Sequence, residues 1–216
     1  MLFQSISKNS VILAIFAIVT SGLVAFTSSS TETLRAEAKQ RALEKALSQI
    51  ISADQYSNDL LANRISISDP LLGLTRSKDA YLAWKDGQPY AAILPAIAPE
   101  GYGGALEMII GIHYDGTLAG VRIVPPHNET PGLGDKVDIK KSPWVLGFNG
   151  HSLQNPHAKG WKVKKDGGQF DQFTGATITP RAVVKGVHRA LQYFKVNKDA
   201  LFSNATPVPR STNNGR

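Results

Sequence analysis

The chain has 216 residues, enough for one sizeable core or at most two small ones, and its 42% hydrophobic content is typical of a folded domain. It contains no cysteine, which excludes disulfides, cysteine-ligated zinc, iron–sulfur clusters and thiol chemistry. The net charge of +7 is concentrated from Lys159 onward, but aromatic residues do not interleave with these charges as an RNA-binding surface requires, so no nucleic acid is expected as a partner.

The first predicted element is a membrane anchor at residues 1–30. Residues 11–26 are uncharged and mostly apolar. As a helix they reach about 24 Å, so the flanking Ser and Thr residues are needed to cross a hydrocarbon core of about 30 Å. A cleaved signal peptide is the alternative, but the sequence at 25–27 is a poor cleavage site and favours a retained anchor. Lys8 precedes the apolar run and places the N-terminus in the cytoplasm.

Residues 31–78 are predicted to be a helical region between the anchor and the main domain. A helix is expected from Thr31 to Ile51, because this stretch is rich in good helix formers and carries apolar side chains on one face. It either continues the membrane helix as a stalk or packs on the domain as an ordinary amphipathic helix. From Tyr56 to Asp79 the pattern is mixed.

An antiparallel meander is predicted to begin the main domain, residues 79–202. A first pair of strands, 80–85 and 89–98, flanks the hairpin dipeptide Asp86-Gly87, with Pro95 interrupting the second strand. A second pair, 105–114 and 117–124, flanks Asp115-Gly116. The fold class is therefore α+β, with a single transmembrane helix followed by one domain that has an antiparallel sheet and packed helices.

Further along the chain, one more strand is predicted at 160–165. The residues from Ser203 to the end are rich in Ser, Thr, Asn and Pro, and a disordered tail is expected at 203–216. The five histidines are scattered without metal-ligand spacing, so no metal site is expected.

Two loops in this domain are rich in glycine. Residues 101–104 read Gly-Tyr-Gly-Gly, a flexible run in which Gly103 and Gly104 allow the backbone to come close to another group. Residues 125–136 contain three Pro and two Gly, which excludes a helix or a central strand. Such a loop is by default a surface connection, although binding residues also concentrate in shaped loops.

A Thr-Gly-Ala-Thr run at 174–177 precedes a predicted helix. Thr179 is the expected N-cap and Pro180 the first helical residue, and the apolar side chains beyond them share one face. On these residues alone the run is a turn before a helix. A helix N-terminus also favours phosphate, because it offers free N–H groups and the positive end of a dipole. Thr177 supplies a hydroxyl that can be esterified.

Three motifs together resemble one family. They are Gly-Tyr-Gly-Gly at 101–104, His-x-Glu-Thr-Pro-Gly-Leu-Gly at 127–134 and Asp-x-x-Thr-Gly-Ala-Thr at 171–177, and the last resembles the signal for covalent flavinylation. In order and spacing they are similar to the G subunit of the Rnf (Rsx) electron transport complex. The C subunit of the sodium-pumping NADH:quinone oxidoreductase shares this FMN-binding domain. The short chain favours the Rnf member, and Thr174 replaces the usual Ser.

The resemblance implies a covalently bound FMN. Thr177 would carry the FMN phosphoryl group, and a flavin transferase that uses FAD and magnesium would attach it. The transferase would recognise Asp171, Thr174, Gly175 and Ala176. The isoalloxazine ring is expected to contact the loop residues Glu129, Thr130, Pro131, Gly132, Leu133 and Gly134, while Lys162 or Lys164 offsets the phosphate charge.

The resemblance also implies a place in the cell. The chain would be an electron-carrier subunit of an ion-translocating oxidoreductase, bound to the other Rnf subunits, with no soluble substrate and no catalytic residue of its own. It would lie in the bacterial inner membrane with its C-terminal domain in the periplasm. The competing interpretations are a cofactor-free, membrane-tethered interaction domain and the corresponding subunit of the sodium pump.

Overall fold

The computed structural model describes residues 2–210, and the chain divides into two compact units, residues 1–42 and 43–216. Helix α1 spans Leu2–Ser30, and helix α2 spans Glu32–Ile50. Within α1, the 22 residues Asn9–Ser30 have a mean hydropathy of 2.3 and are long and apolar enough to cross a membrane. The charge of Lys8, on which the predicted orientation rests, lies outside the side chains that the structure describes.

The second unit is built on a five-stranded antiparallel sheet whose strands follow one another in chain order. The strands are β1 (Arg64–Ile67), β2 (Lys78–Lys85), β3 (Gln88–Ala98), β4 (Leu106–His113) and β5 (Leu118–Ile123). Asp86 and Gly87 join β2 to β3 with φ values of 50° and 78°, as a type I′ turn requires. The predicted α+β class and both predicted hairpins are confirmed.

Both faces of the sheet are buried. Helix α3, Ile178–Ser203, packs across β3 and β4 on one face. The end of α2 packs on the other face, where Leu47, Ile50 and Ile51 join a second apolar cluster with Ile93 of β3. The residues predicted to form the apolar face of α3 are all buried, namely Val183, Val184, Val187, Leu191 and Phe194.

The structure corrects two details of the predicted strands. Pro95 does not interrupt β3, because β2 pairs with β3 only as far as Ile93, and Pro95 lies beyond that point with only β4 beside it. The prediction of a strand at 160–165 is wrong. Short 3₁₀ turns occupy Ala158–Gly160 and Lys164–Asp166, and only an isolated bridge joins Val163 to Phe170.

The end of the described chain is held in place, where a disordered tail from Ser203 was expected. Helix α3 runs to Ser203, and the chain then returns to residues 58–63. The amide of Asn63 donates to the Thr206 carbonyl at 2.8 Å, and its Oδ1 accepts the N–H of Val208 at 2.9 Å. A buried asparagine thus supplies the partners that composition did not predict. The remainder of the expected tail, residues 211–216, lies outside the described part of the chain.

Candidate functional site

A cavity of about 380 Å³ lies at the N-terminal end of α3, within the size range of small-molecule sites. All three motifs contribute to its wall. Seven of the predicted site residues line it: Glu129, Thr130, Leu133, Gly134, Gly175, Ala176 and Thr177. Four further residues line it that the sequence did not single out: Tyr102, Ile178, Thr179 and Arg181.

Each of the three motifs forms a tight turn. The N–H of Gly104 donates to the Gly101 carbonyl at 3.1 Å. In the second motif, the N–H of Leu133 donates to the Thr130 carbonyl at 3.1 Å. Pro131 and Gly132, which has a φ of 76°, are the central residues that a type II turn prefers.

The third turn carries the predicted attachment site. The N–H of Ala176 donates to the Phe173 carbonyl at 3.0 Å, and Gly175 between them has a φ of 78°. The turn and the cofactor site are thus not competing interpretations, because the turns are what bring the motifs to one cavity.

Thr177 is the N-cap of α3, two residues before the predicted N-cap Thr179. Its backbone is already helical, with φ −91° and ψ −24°, and its side chain makes no capping hydrogen bond. Pro180 is therefore the third helical residue, where its missing N–H still costs nothing because the first four N–H groups of a helix have no intrahelical partner. The Thr177 hydroxyl, at the cavity wall, is not used to cap the helix.

Thr179 is fully buried and bonds to Glu129 instead. Its hydroxyl donates to Glu129 Oε2 at 2.6 Å and accepts the N–H of Tyr102 at 3.3 Å. Glu129 Oε1 accepts the N–H of Gly103 at 3.0 Å. Glu129, a residue that is only 6% exposed, therefore joins through its carboxylate the loop at 101–104, the loop at 127–134 and the start of α3.

Three glycines near Glu129 have no space for a side chain. A Cβ at Gly134 would lie 2.2 Å from Glu129 Oε2, and one at Gly101 would lie 2.4 Å from the Gly104 carbonyl oxygen and 3.0 Å from Glu129 Oε1. A Cβ at Gly103 would lie 2.1 Å from the backbone oxygen of Asn128. The expected reason for Gly134 was close approach of a flavin ring, whereas the structure gives a contact within the protein.

Among the described residues that line this cavity, Arg181 carries the positive charge. It lies one turn after Thr177 in α3, and its guanidinium donates twice to the Asp166 carboxylate, both at 2.5 Å. This bidentate pair lowers the pKa of Asp166 below its ordinary value. Of the two lysines expected near a phosphate, Lys164 instead pairs with Asp171 at 2.6 Å, and neither Lys162 nor Lys164 lines the cavity.

The residues before Thr177 are held by aromatic packing. The Trp144 indole N–H donates to the Asp171 carbonyl at 2.8 Å, and the Trp144 ring lies edge-on to Phe173 with centroids 5.2 Å apart. The Asp171 and Thr174 side chains remain exposed. The segment therefore presents polar groups to solvent from a fixed backbone.

Some predicted site residues lie away from the cavity wall. Asp171, Thr174, Pro131, Gly132, Gly103 and Gly104 do not line it. The missed lining residues Ile178, Thr179 and Arg181 belong to the first turn of α3. Their position directly after the Thr-Gly-Ala-Thr run could have predicted that they line the site, because side chains in the first turn of a helix surround its N-terminal end.

The residues at the cavity fit FMN. The site combines the positive end of a 26-residue helix, a nearby guanidinium and small residues at Gly175 and Ala176. Three exposed apolar side chains line the cavity and suit an aromatic ring system: Tyr102 of the first motif, Leu133 of the second, and Ile178, which follows the third at the start of α3. A phosphate at the helix end and a ring against the apolar side chains use both halves of the site.

Comparison with known proteins gives matches along nearly the whole chain. Residues 101–192 match the FMN-binding domain family, and residues 1–50 match the RnfG N-terminal region. The chain is 48% identical over 201 residues to the G subunit of the ion-translocating oxidoreductase complex of Pseudomonas aeruginosa strain UCBPP-PA14, covering 93% of this chain and 94% of the relative. The corresponding protein of Vibrio cholerae serotype O1 strain M66-2 is 46% identical over 206 residues, 95% of this chain and 98% of the relative.

Proposed function

The chain belongs to the G-subunit family of Rnf ion-translocating oxidoreductase complexes, and from that premise we propose that it holds its FMN covalently, through Thr177. The family is an electron-transport subunit with an FMN-binding domain. The match to the RnfG N-terminal region argues against the sodium-pump subunit, and the FMN-binding domain argues against a cofactor-free interaction domain.

The position of Thr177 carries the proposal. Thr177 lines the cavity at the N-terminus of α3, and its hydroxyl makes no capping hydrogen bond. A phosphodiester formed there keeps one negative charge, which the helix dipole offsets, with the guanidinium of Arg181, itself paired with Asp166, nearby. Arg181 lies one helical turn after Thr177, and the Arg181 N–H donates to the Thr177 carbonyl at 3.3 Å.

The attachment step transfers a flavin phosphoryl group. Thr177 Oγ1 forms a bond to the FMN phosphorus of FAD, the pyrophosphate bond breaks, AMP leaves, and the hydroxyl proton passes to a base of the transferase. The exposed Asp171 and Thr174 are the side chains that the flavin transferase reads, presented on the segment that Trp144 holds. Once bound, FMN accepts and donates electrons, and the protein supplies its position and electrostatics.

The proposed surroundings follow from the same family. The partners are the other Rnf subunits in the membrane and, during maturation, the flavin transferase. The domain from residue 43 onward lies on the periplasmic side, with α1 as its anchor. The electrons reach and leave the site through neighbouring subunits, since the chain has no substrate of its own.

Intact-mass measurement tests the attachment. The full chain, expressed with a flavin transferase and purified in detergent, gains one increment equal to FMN minus water. Thr177→Val removes the hydroxyl and keeps the shape, so the increment and the flavin fluorescence in a denaturing gel disappear. Thr174→Val keeps part of the flavin, because Thr174 is read by the transferase and not esterified. Flavin that persists on the Thr177 variant contradicts the assignment.

A further inference from the structure

We infer that Thr179 and Glu129 are positioning residues that hold the attachment point at Thr177 in register with the wall against which the flavin ring rests. Only the part of the inference that concerns the flavin rests on the proposed function; the hydrogen bonds between the two side chains and the loops do not. Thr179 is not part of the flavinylation motif. It is fully buried within the cavity wall, and its hydroxyl is bonded to Glu129. The two side chains are named here the Thr179–Glu129 pair.

The geometry of the pair joins elements that are far apart in the sequence. Thr179 and Glu129 are 50 residues apart, and their hydrogen bond at 2.6 Å is buried. Thr179 also accepts the Tyr102 N–H, across 77 residues. Because Thr177 and Thr179 lie on the same first turn of α3, fixing Thr179 fixes the attachment point relative to both loops.

The pair is costly to break, because Glu129 depends on few partners. Its carboxylate is buried and accepts from the Gly103 N–H and the Thr179 hydroxyl. Among the side chains that the structure describes, in residues 9–38 and 40–210, it forms no ion pair with a cationic group. Loss of the Thr179 hydroxyl leaves a buried carboxylate oxygen without a donor, which costs more than the loss of a bond at the surface.

The surrounding sequence is arranged for this carboxylate. Gly134 must lack a Cβ for Glu129 Oε2 to occupy its position, whereas a Cβ at Gly101 would first meet the Gly104 carbonyl oxygen at 2.4 Å and Glu129 Oε1 only at 3.0 Å. Both glycines belong to the cavity loops. The carboxylate is therefore accommodated in its own loop by Gly134 and bonded from the loop at 101–104 by the Gly103 N–H.

The first arm of the test uses the flavin-free full chain in detergent. Thr179→Val keeps the side-chain volume and removes the hydroxyl, whereas Thr179→Ser keeps the hydroxyl and removes the methyl group. In Thr179→Val, hydrogen exchange of the Tyr102 and Gly103 amides becomes faster, while Thr179→Ser keeps the protection of the parent. Unchanged protection in Thr179→Val overturns the pair, whether or not flavin binds.

The second arm uses the flavinylated full chain. Thr179→Val carries the same FMN mass increment as the parent, but the visible circular dichroism of the flavin is mostly lost and its fluorescence anisotropy falls. Val187→Ala is the matched control, since it weakens α3 in the core and does not line the cavity; it keeps both flavin signals.

The outcomes of the two arms are distinct. A Thr179→Val protein whose flavin signals equal those of the parent overturns the positioning role, as does an equal loss in Val187→Ala. If the parent carries no FMN increment, the proposed attachment fails, and the exchange arm alone still decides whether the pair holds the loops.

Discussion

At the scale of single residues, Glu129 sets the charge of the proposed site. Its carboxylate is a buried negative charge at the cavity wall and disfavours added negative charge on a reduced flavin. We expect Glu129→Gln to raise the reduction potential by about 30 mV, which corresponds to about 1.4 kcal/mol for a two-electron couple. Spectroelectrochemistry measures the shift. Glu100→Gln, which changes an exposed carboxylate outside the cavity, is the control, and a lower or unchanged potential in the Glu129 variant contradicts the prediction.

Gly132 and Gly134 are two positions apart but differ in what a side chain would meet. Gly132 has a φ of 76° and open space around its Cβ position, whereas a Cβ at Gly134 meets Glu129. We expect both Gly132→Ala and Gly134→Ala to keep covalent FMN, because the attachment segment is unchanged. Flavin absorbance should shift in Gly134→Ala and much less in Gly132→Ala, whose main effect is backbone strain of about 1 kcal/mol. The opposite order in absorbance spectra would show that Gly132 contacts the ring.

The start of α3 shows the limit of predicting single residues from sequence. Thr179-Pro180 matches the preferred N-cap and first helical residue, yet the helix begins two residues earlier. Pro is tolerated throughout the first turn, so it does not fix the first residue. The Thr179 hydroxyl bonds to Glu129 instead of capping the helix, and this tertiary contact 50 residues away is one that no local rule contains.

At the scale of elements, the end of α2 packs on the sheet at a position where β4 has a glycine and therefore no side chain. A Cβ at Gly111 of β4 would lie 2.2 Å from Ile50 Cγ2. Next to it, the buried Arg122 of β5 donates to the Gln49 carbonyl at 3.0 Å, at the C-terminal end of α2. This end of the helix is thus held by shape and by a hydrogen bond to the Gln49 carbonyl.

Gly111→Ala therefore tests the docking of α2. We expect it to lower the free energy of unfolding by about 1–3 kcal/mol, the usual cost of overpacking a core. Chemical denaturation of the full chain in detergent measures the change. Gly147→Ala is the matched control, since nothing lies within 4 Å of its Cβ position, and it should be near neutral. Equal stability of the two variants would mean that Ile50 moves aside without cost.

His188 of α3 gives the domain a pH dependence. It stacks on Trp161 with centroids 5.3 Å apart, and burial lowers the pKa of its imidazole. The unfolded state therefore binds a proton more readily, so stability is lost as the pH falls from about 6.5 toward the folded pKa. We expect the midpoint of thermal unfolding to fall between about pH 7 and pH 5, and to fall less in His188→Gln. Equal slopes in the two proteins would assign the effect to other groups.

The sequence was sufficient to predict that most of the strands exist, but not all of them or the face to which each side chain points. Hairpin dipeptides at 86–87 and 115–116 located four of the five strands correctly. Polar–apolar alternation was weak because both faces of the sheet are buried, which removes the pattern that a half-exposed sheet produces. The edge strand β1 has only four residues and was not separated from the mixed region around it.

At the scale of the whole molecule, the packing of the C-terminal residues decides where a topology reporter can be attached. A reporter inserted within α3 would interrupt the helix, which continues to Ser203 and is followed by contacts from residues 206–208 back to Asn63. A reporter placed after Arg216 leaves these contacts intact. The tail is therefore part of the domain up to the last described residues, and a fusion belongs beyond it.

The last prediction concerns the side of the membrane on which the domain lies. Asn9–Ser30 has the length and hydropathy of a membrane span, but a signal sequence passes the same test, so the helix alone does not decide between anchor and leader. We expect a reporter that is active only outside the cytoplasm, fused after Arg216, to be active and to sediment with the membrane fraction. Removal of residues 1–30 should leave an inactive reporter in the cytosol, because the domain is then not exported. Activity recovered in the soluble periplasmic fraction would identify the apolar segment as a cleaved leader, and a membrane-bound but inactive reporter would place the FMN-binding domain in the cytoplasm.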